Sequence, residues 1–273
     1  MTKKDLFDIA GKVIVITGGA GALGGSMAHY LLNTGAKIII LDLNQDRVEK
    51  RVEKLKKINE NVIGISGSVL DKGDLEKAKV EIIKKYGQID VLINAAGGNM
   101  PGATIGENQT IFDLKMEDFR KVSELNLDGS VLPSLVFGKA IATRGSGSII
   151  NISSMTATRA ITRVVGYSTS KAAIDIFTKW MATEMALKFS DKIRVNAIAP
   201  GFFIGNQNRE LLIKEDGTFT KRGNTIIRNT PMKRFGEANE LNGTIHWLIS
   251  DASSFVTGTI IPIDGGFSAF SGV

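Results

Sequence analysis

Short apolar runs rich in Val and Ile recur at 13–17, 37–41, 61–66, 90–94, 148–153, 193–199 and 259–263, with helical stretches between them. Their apolar residues are consecutive rather than alternating, as in strands covered on both faces. Strand and helix taking turns in this way leave few solutions. The expected fold is α/β: one doubly wound parallel sheet with helices on both faces, joined by right-handed crossovers. Gly35 closes the first helical stretch, 22–33, as a C-terminal stop. No linker, low-complexity tract or solenoid-length repeat intervenes, so 1–273 reads as one domain.

Composition excludes other classes. Hydrophobic residues make up 43% and charged residues 23%, an ordinary globular balance. There is no Cys, so disulfides, thiolate nucleophiles and thiolate-ligated metals drop out. His29 and His246 cannot make a histidine-rich metal site, and no metal is expected. The formal charge of +6 favours anionic ligands without naming one. Lys50, Lys54, Lys56 and Lys57 interleave with Glu49 and Glu53, which describes a solvated helix face rather than a nucleic-acid patch. No apolar run reaches the roughly 18 residues of a membrane span. Asp5 and Asp8 break up what would otherwise be a basic leader, so a cytoplasmic location is expected.

Two segments fit the alternation poorly. Residues 97–113 and 202–230 are polar and glycine-bearing, and each follows a strand end. In open α/β sheets, ligands bind beyond the carboxyl ends of the strands, so both read as substrate loops.

Between the first strand and the first helix lies Thr17-Gly18-Gly19-Ala20-Gly21-Ala22-Leu23-Gly24. Glycines here permit a tight turn and close approach of backbone to phosphate, and the helix N-terminus offers unpaired N–H groups. In this strand–turn–helix setting the motif reads as a dinucleotide site. Asp42 ends the second strand at the right spacing to accept hydrogen bonds from a ribose 2′-OH and to repel a 2′-phosphate. Leu43 and Asn44 follow with no arginine, which favours NAD over NADP.

Tyr167 and Lys171 are one helical turn apart and share a face if that stretch is helical. A free tyrosine titrates near pH ~10, and a nearby ammonium lowers that value toward useful acid–base chemistry. Ser154, just past the fifth strand, can hydrogen-bond a substrate oxygen as charge develops. Ser153 competes for that role, although period-2 alternation turns it to the opposite side. Asn126 lies in a helical stretch, as a plain interior amide or as part of a proton relay.

Taken in order, Thr17-Gly18-…-Gly24, Asn94-Ala95-Ala96-Gly97, Asn126, Ser154, Tyr167-x-x-x-Lys171 and Pro200-Gly201 resemble the short-chain dehydrogenase/reductase family over essentially the whole chain. The resemblance implies a seven-stranded sheet and hydride transfer between nicotinamide and a carbonyl or alcohol. It implies Tyr167 as acid/base and Lys171 lowering its pKa while holding the nicotinamide ribose. It implies Ser154 orienting the substrate oxygen and Asn126 holding a relay water. The cofactor contacts it implies are Gly18, Gly21, Ala22, Leu23, Gly24, Asp42, Leu43, Ser68, Val69, Asn94, Ala95, Ala96, Gly97, Tyr167, Lys171, Pro200, Gly201 and Phe203. Four positions depart from the family's habit. Ala22 stands for a fingerprint glycine, Ala95 for an Asn, Ser68 for an adenine-touching Asp, and Gly205 for a Thr near the nicotinamide amide.

Gly97 to Thr104, Pro200 to Phe203, Gln207 to Arg209, Thr230 to Gly236 and the stretch from Gly265 to Val273 are similar to the D-mannonate oxidoreductase (fructuronate reductase) branch. That implies D-fructuronate plus NADH giving D-mannonate plus NAD, reversibly. A hexuronate needs a cation for its carboxylate and amides for its hydroxyls. Asn99, Ser154, Arg163, Asn208 and Arg209 are the substrate candidates, with Arg163 or Arg209 as the carboxylate clamp. Another oxidoreductase of sugar acids or polyols, such as gluconate 5-dehydrogenase, and a catalytically silent nucleotide-binding regulator are the competing readings. The family also implies a homotetramer, seamed by the helical stretches at 113–143 and 166–189.

Overall fold

The computed structural model describes residues 5–205 and 209–272. The first half comprises β1 (Val13–Thr17), α1 (Ala22–Asn33), β2 (Lys37–Asp42), α2 (Gln45–Lys56), β3 (Val62–Ser66), α3 (Lys72–Tyr86), β4 (Val91–Asn94), α4 (Met116–Ser123) and α5 (Gly129–Arg144). The second comprises β5 (Gly147–Ile152), α6 (Val165–Lys188), β6 (Ile193–Pro200), α7 (Arg209–Leu212), α8 (Lys221–Asn229), α9 (Asn242–Ile249) and β7 (Ile260–Ile263). All seven strands are parallel, in the order β3-β2-β1-β4-β5-β6-β7. Each expected strand is present, with ends differing by a residue or two, the usual scatter of element boundaries.

The consecutive apolar residues of each strand serve two cores. On β1, Ile14 and Ile16 pack with α1 residues Met27, Leu31 and Leu32 and with Ile245 and Leu248 of α9. Val13 and Val15 face the other layer, with Ile82 of α3, Phe137 of α5 and Met181 of α6. Side chains of a strand alternate between faces, so burial on both sides demands an unbroken apolar run.

The sheet order reverses between β1 and β4, and that is where a crevice opens at the carboxyl edge. The hydroxyl of Thr17, the last residue of β1, accepts the N–H groups of Ala95 and Ala96 at 3.1 and 3.2 Å. This ties the two diverging strand ends together at the mouth of the crevice.

Three features differ from the sequence expectation. The stretch read as one helix over 113–143 is α4 and α5 joined by a π-helical segment, Glu124–Asp128. Residues 202–230, read as a loop, carry α7, α8 and a bridge between Ile213 and Phe219. Leu212, Ile226 and Phe235 form a small core of their own beneath that segment, which is why a polar stretch can hold shape. The 97–113 segment contains two 3-10 turns, Pro101–Ala103 and Ile111–Asp113.

Candidate active site

The glycine turn fits a diphosphate on its own geometry. Gly18 has φ +64°, and a Cβ there would lie 2.8 Å from backbone atoms of Ala95 and Ala96. A Cβ at Gly24 would stand 2.6 Å from the carbonyl oxygen of Gly18. Gly21 precedes α1 as its N-cap and offers no capping side chain, and no acidic residue lies in the first turn of the helix. Its first N–H groups therefore face the crevice mouth uncapped, next to Gly21, Ala22 and Leu23. Ala22 is exposed at the helix start, so its methyl points away from the packed turn.

Asp42 sits at the end of β2 and accepts the N–H of Ala20 at 3.1 Å. Leu43 beside it is 73% exposed, an apolar surface at the place an adenosine would cover. Ser68 donates its backbone N–H to Asp74 and accepts the Leu70 N–H on its hydroxyl. Val69 is buried against Gly129 of α5. Asn94 behaves differently from a surface-facing ligand. Its amide donates to Ser134 and Asn151, both at 2.8 Å, inside the sheet, and its Oδ1 has no partner. Gly201 follows β6, and a Cβ there would lie 2.7 Å from Asp264. Phe203 is buried, its ring set against Gly236.

The chemical groups converge at the carboxyl ends of β4 and β5. Ser154 caps the 3-10 turn Met155–Ala157, its hydroxyl accepting the Thr156 N–H at 3.2 Å. Ser153 points the other way and hydrogen-bonds Asp175, so alternation separates the two hydroxyls as expected. Tyr167 lies in the first turn of α6. Burial pushes its phenol above the ordinary value, and the Ser154 hydroxyl pulls it part of the way back. Lys171 is buried one turn on, with Nζ 5.5 Å from the centre of the Tyr167 ring and donating to the Ile152 carbonyl at 2.7 Å. Burial lowers this ammonium to about 8, against an opposing pull from Asp175.

Asn126 closes the group. The π-helical segment places its side chain over Gly98, where it accepts the N–H at 3.1 Å and donates to the carbonyl at 2.7 Å. Gly97, at φ +151°, leaves room for it: a Cβ there would be 2.7 Å from Asn126 Oδ1 and 3.5 Å from Lys171 Nζ. The π-turn inserts one extra residue in the helix, the kind of local irregularity found at functional sites.

The substrate candidates divide. Asn99 donates to Thr104 at 2.6 Å and leaves a buried Oδ1 without a partner. Arg163 has φ +79°, strained for a residue with a side chain. Its backbone carbonyl accepts the Ile105 N–H at 2.9 Å, and its Nε donates back to the Ile105 carbonyl at 2.7 Å. This locks Arg163 to the 97–113 segment. Arg209 is exposed on α7. Asn208, like Gln207, lies outside the described residues. The sequence reading missed Arg222, half-buried in the first turn of α8. Burial lowers its guanidinium, and the neighbouring charge of Arg163 lowers it further. The two guanidinium groups lie close enough for the charge of Arg163 to act on Arg222. No spacing rule links residues that far apart, so only the folded 202–230 segment reveals the pair.

Comparison with known proteins fits this geometry. The family model described as enoyl-(acyl carrier protein) reductase matches residues 18–268. UxuB of Bacillus subtilis (strain 168), an uncharacterized oxidoreductase, is 44% identical over 97% of this chain and 98% of its own length. The 5-keto-D-gluconate 5-reductase of Escherichia coli (strain K12) is 34% identical over 96% of this chain and 97% of its own. A Haemophilus influenzae protein carrying the provisional designation D-mannonate oxidoreductase, solved with bound NAD, superposes with TM-score 0.91 at 41% identity. The match spans 97% of this chain and 98% of that one. The chain belongs to the short-chain dehydrogenase/reductase family, and it is an oxidoreductase acting on CH–OH groups. Among the described residues, no helix is long and apolar enough to cross a membrane.

Proposed function

We propose that the chain is an NAD-dependent reductase of a sugar-acid ketone, D-fructuronate plus NADH and a proton giving D-mannonate plus NAD, reversibly. The observation that carries this reading is the convergence of Ser154, Tyr167 and Lys171; the charge interaction between Arg163 and Arg222 supports an acid as the substrate. The NAD in the Haemophilus influenzae structure and the sugar acid in the name of the Escherichia coli relative support it.

The uncapped start of α1, with Gly18, Gly21, Ala22, Leu23 and Gly24, would hold the diphosphate. Asp42 would accept the adenosine ribose hydroxyls, with Leu43, Ser68 and Val69 under the base. Ala95, Ala96, Gly97, Pro200, Gly201 and Phe203 would border the nicotinamide half, and Asn94 would support them from inside the sheet. When bound, the nicotinamide supplies or accepts the hydride at the substrate carbon.

The protein's share is to hold the substrate oxygen and move one proton. Ser154 donates to that oxygen, and Tyr167 Oη delivers a proton as negative charge develops on it. Burial holds the phenol in its protonated form, which suits a proton donor. Lys171 holds positive charge within reach of that phenol, which favours the phenolate left behind. Asn126 shapes the Gly97–Gly98 backbone beside Lys171, where a relay water would be held. Arg163 and Arg222 grip the substrate carboxylate, and the partnerless oxygen of Asn99 accepts from a hydroxyl.

A second reading, reduction at a keto position of gluconate, is favoured by the 34% identical 5-keto-D-gluconate 5-reductase. Oxidation of NADH in the presence of D-fructuronate, 5-ketogluconate and fructose separates the two. Fructuronate should turn over fastest; turnover of 5-ketogluconate alone would shift the assignment. NADH binding with no turnover on a broad carbonyl panel would favour a regulator. We propose a cytoplasmic location and a homotetramer; Leu135 on α5 and Ile176, Trp180 and Leu187 on α6, all exposed, support the assembly.

A further inference from the structure

Arg51 belongs to α2, outside the glycine turn, yet its guanidinium reaches that turn. Its Nη2 donates to the carbonyls of Ala20 and Gly21, each at 3.2 Å. The slot it fills exists because residue 25 is glycine. A Cβ at Gly25 would lie 2.4 Å from the guanidinium carbon and 2.5 Å from Nη2.

Ala20 is therefore gripped at both ends. Its carbonyl accepts from Arg51, and its N–H donates to Asp42 at 3.1 Å. A cation and an anion thus fix one residue of the turn, and the Arg51 guanidinium feels the charge of Asp42. The consequence is electrostatic. Carbonyl oxygens in a phosphate-binding turn repel an approaching anion unless they are turned away and satisfied. Here two of them are occupied by the Arg51 guanidinium, which leaves the N–H groups of the first turn of α1 as the polar groups available to an anion.

We propose that Arg51 is the positioning residue for the dinucleotide: by holding the Ala20 and Gly21 carbonyls it sets the diphosphate turn, and Gly25 is there to admit it. The same contacts join the turn to Asp42, so diphosphate binding and ribose recognition depend on one strut. The inference rests on the NAD reading above and is independent of which sugar acid is reduced. With Nη2 engaged on two carbonyls, Arg51 is not a cation held in reserve for a 2′-phosphate.

The test is direct titration of NADH, followed by its fluorescence, with the parent protein and with R51Q, R51K and G25A. Removing a charged donor from two carbonyls should weaken NADH about tenfold in R51Q. G25A should show a loss of similar size, because its methyl occupies the place of the guanidinium. R51K, with one ammonium in place of the fork, should fall between parent and R51Q. The loss should appear in the KM for NADH, with kcat changed less than about twofold. A folded R51Q or G25A with the parent's NADH affinity overturns the proposal, even if its melting temperature falls. So does a loss confined to NADPH. If R51Q does not fold, G25A and R51K decide between the same outcomes. A parent protein that binds no NADH would instead remove the cofactor reading itself.

Discussion

The Nζ of Lys171 stands 5.5 Å from the centre of the Tyr167 ring and donates to the Ile152 carbonyl rather than to the phenol. Lys171 is buried and Tyr167 half-buried, and burial acts on each toward its neutral form. The phenol rises and the ammonium falls to about 8. The sequence leads one to expect Lys171 to lower Tyr167; in this structure desolvation raises the phenol, and the opposing pull comes from the Ser154 hydroxyl.

This predicts a specific pH dependence of stability. Unfolded, Lys171 keeps its proton up to its ordinary value of 10.5; folded, it releases the proton near 8. Below pH 8 both states are protonated and the cost of burying the charge is present in full. Between 8 and 10.5 the unfolded chain binds more protons, so this group's contribution moves toward stabilisation as pH rises. The melting temperature of Lys171→Met minus that of the parent should therefore fall steadily from pH 7 to pH 10. A difference that stays flat would contradict the buried, depressed ammonium.

Arg163 and Arg222 should separate acids from neutral substrates. Arg222→Ala or Arg163→Ala should raise KM for the sugar acid about 10- to 100-fold, as expected for losing a hydrogen bond between charged groups. KM for a neutral ketose should move by no more than about threefold. Arg209→Ala, removing an exposed side chain, should leave both within about twofold. Equal losses on acid and ketose in the first two variants would show that the pair holds the fold and not the carboxylate.

Asp42→Ala should erode the preference for NAD. The carboxylate that would repel a 2′-phosphate is removed, along with the acceptor for the Ala20 N–H. Parallel kinetics with NADH and NADPH should show the ratio of kcat/KM falling at least about tenfold. A parent that uses both cofactors equally would make the reading of Asp42 wrong.

Much of the fold is written in local pattern. A strand buried on both faces needs an unbroken apolar run, and Val13–Thr17 or Ile193–Pro200 could hardly be anything else. The glycine turn, Ser154, Tyr167 and Lys171 are legible for the same reason, since their chemistry lies in short segments of fixed spacing. What escaped depends on contacts between distant segments. The π-turn at Asn126 is held by the Gly98 backbone, 28 positions away. Arg222 gains its meaning from Arg163, and Arg51 from a gap at Gly25, once helices are packed together. The order within 202–230 rests on a small satellite core around Leu212, Ile226 and Phe235, too sparse to register as periodicity.

Proton transfer in the proposed reaction runs through Tyr167. Tyr167→Phe removes one oxygen and leaves the ring, its packing and the glycine turn in place. NADH titration alongside single-turnover reduction of D-fructuronate should find binding within about twofold of the parent and turnover down by at least about 100-fold. Turnover close to the parent's, with NADH bound as tightly, would contradict the assignment of this phenol as the proton donor.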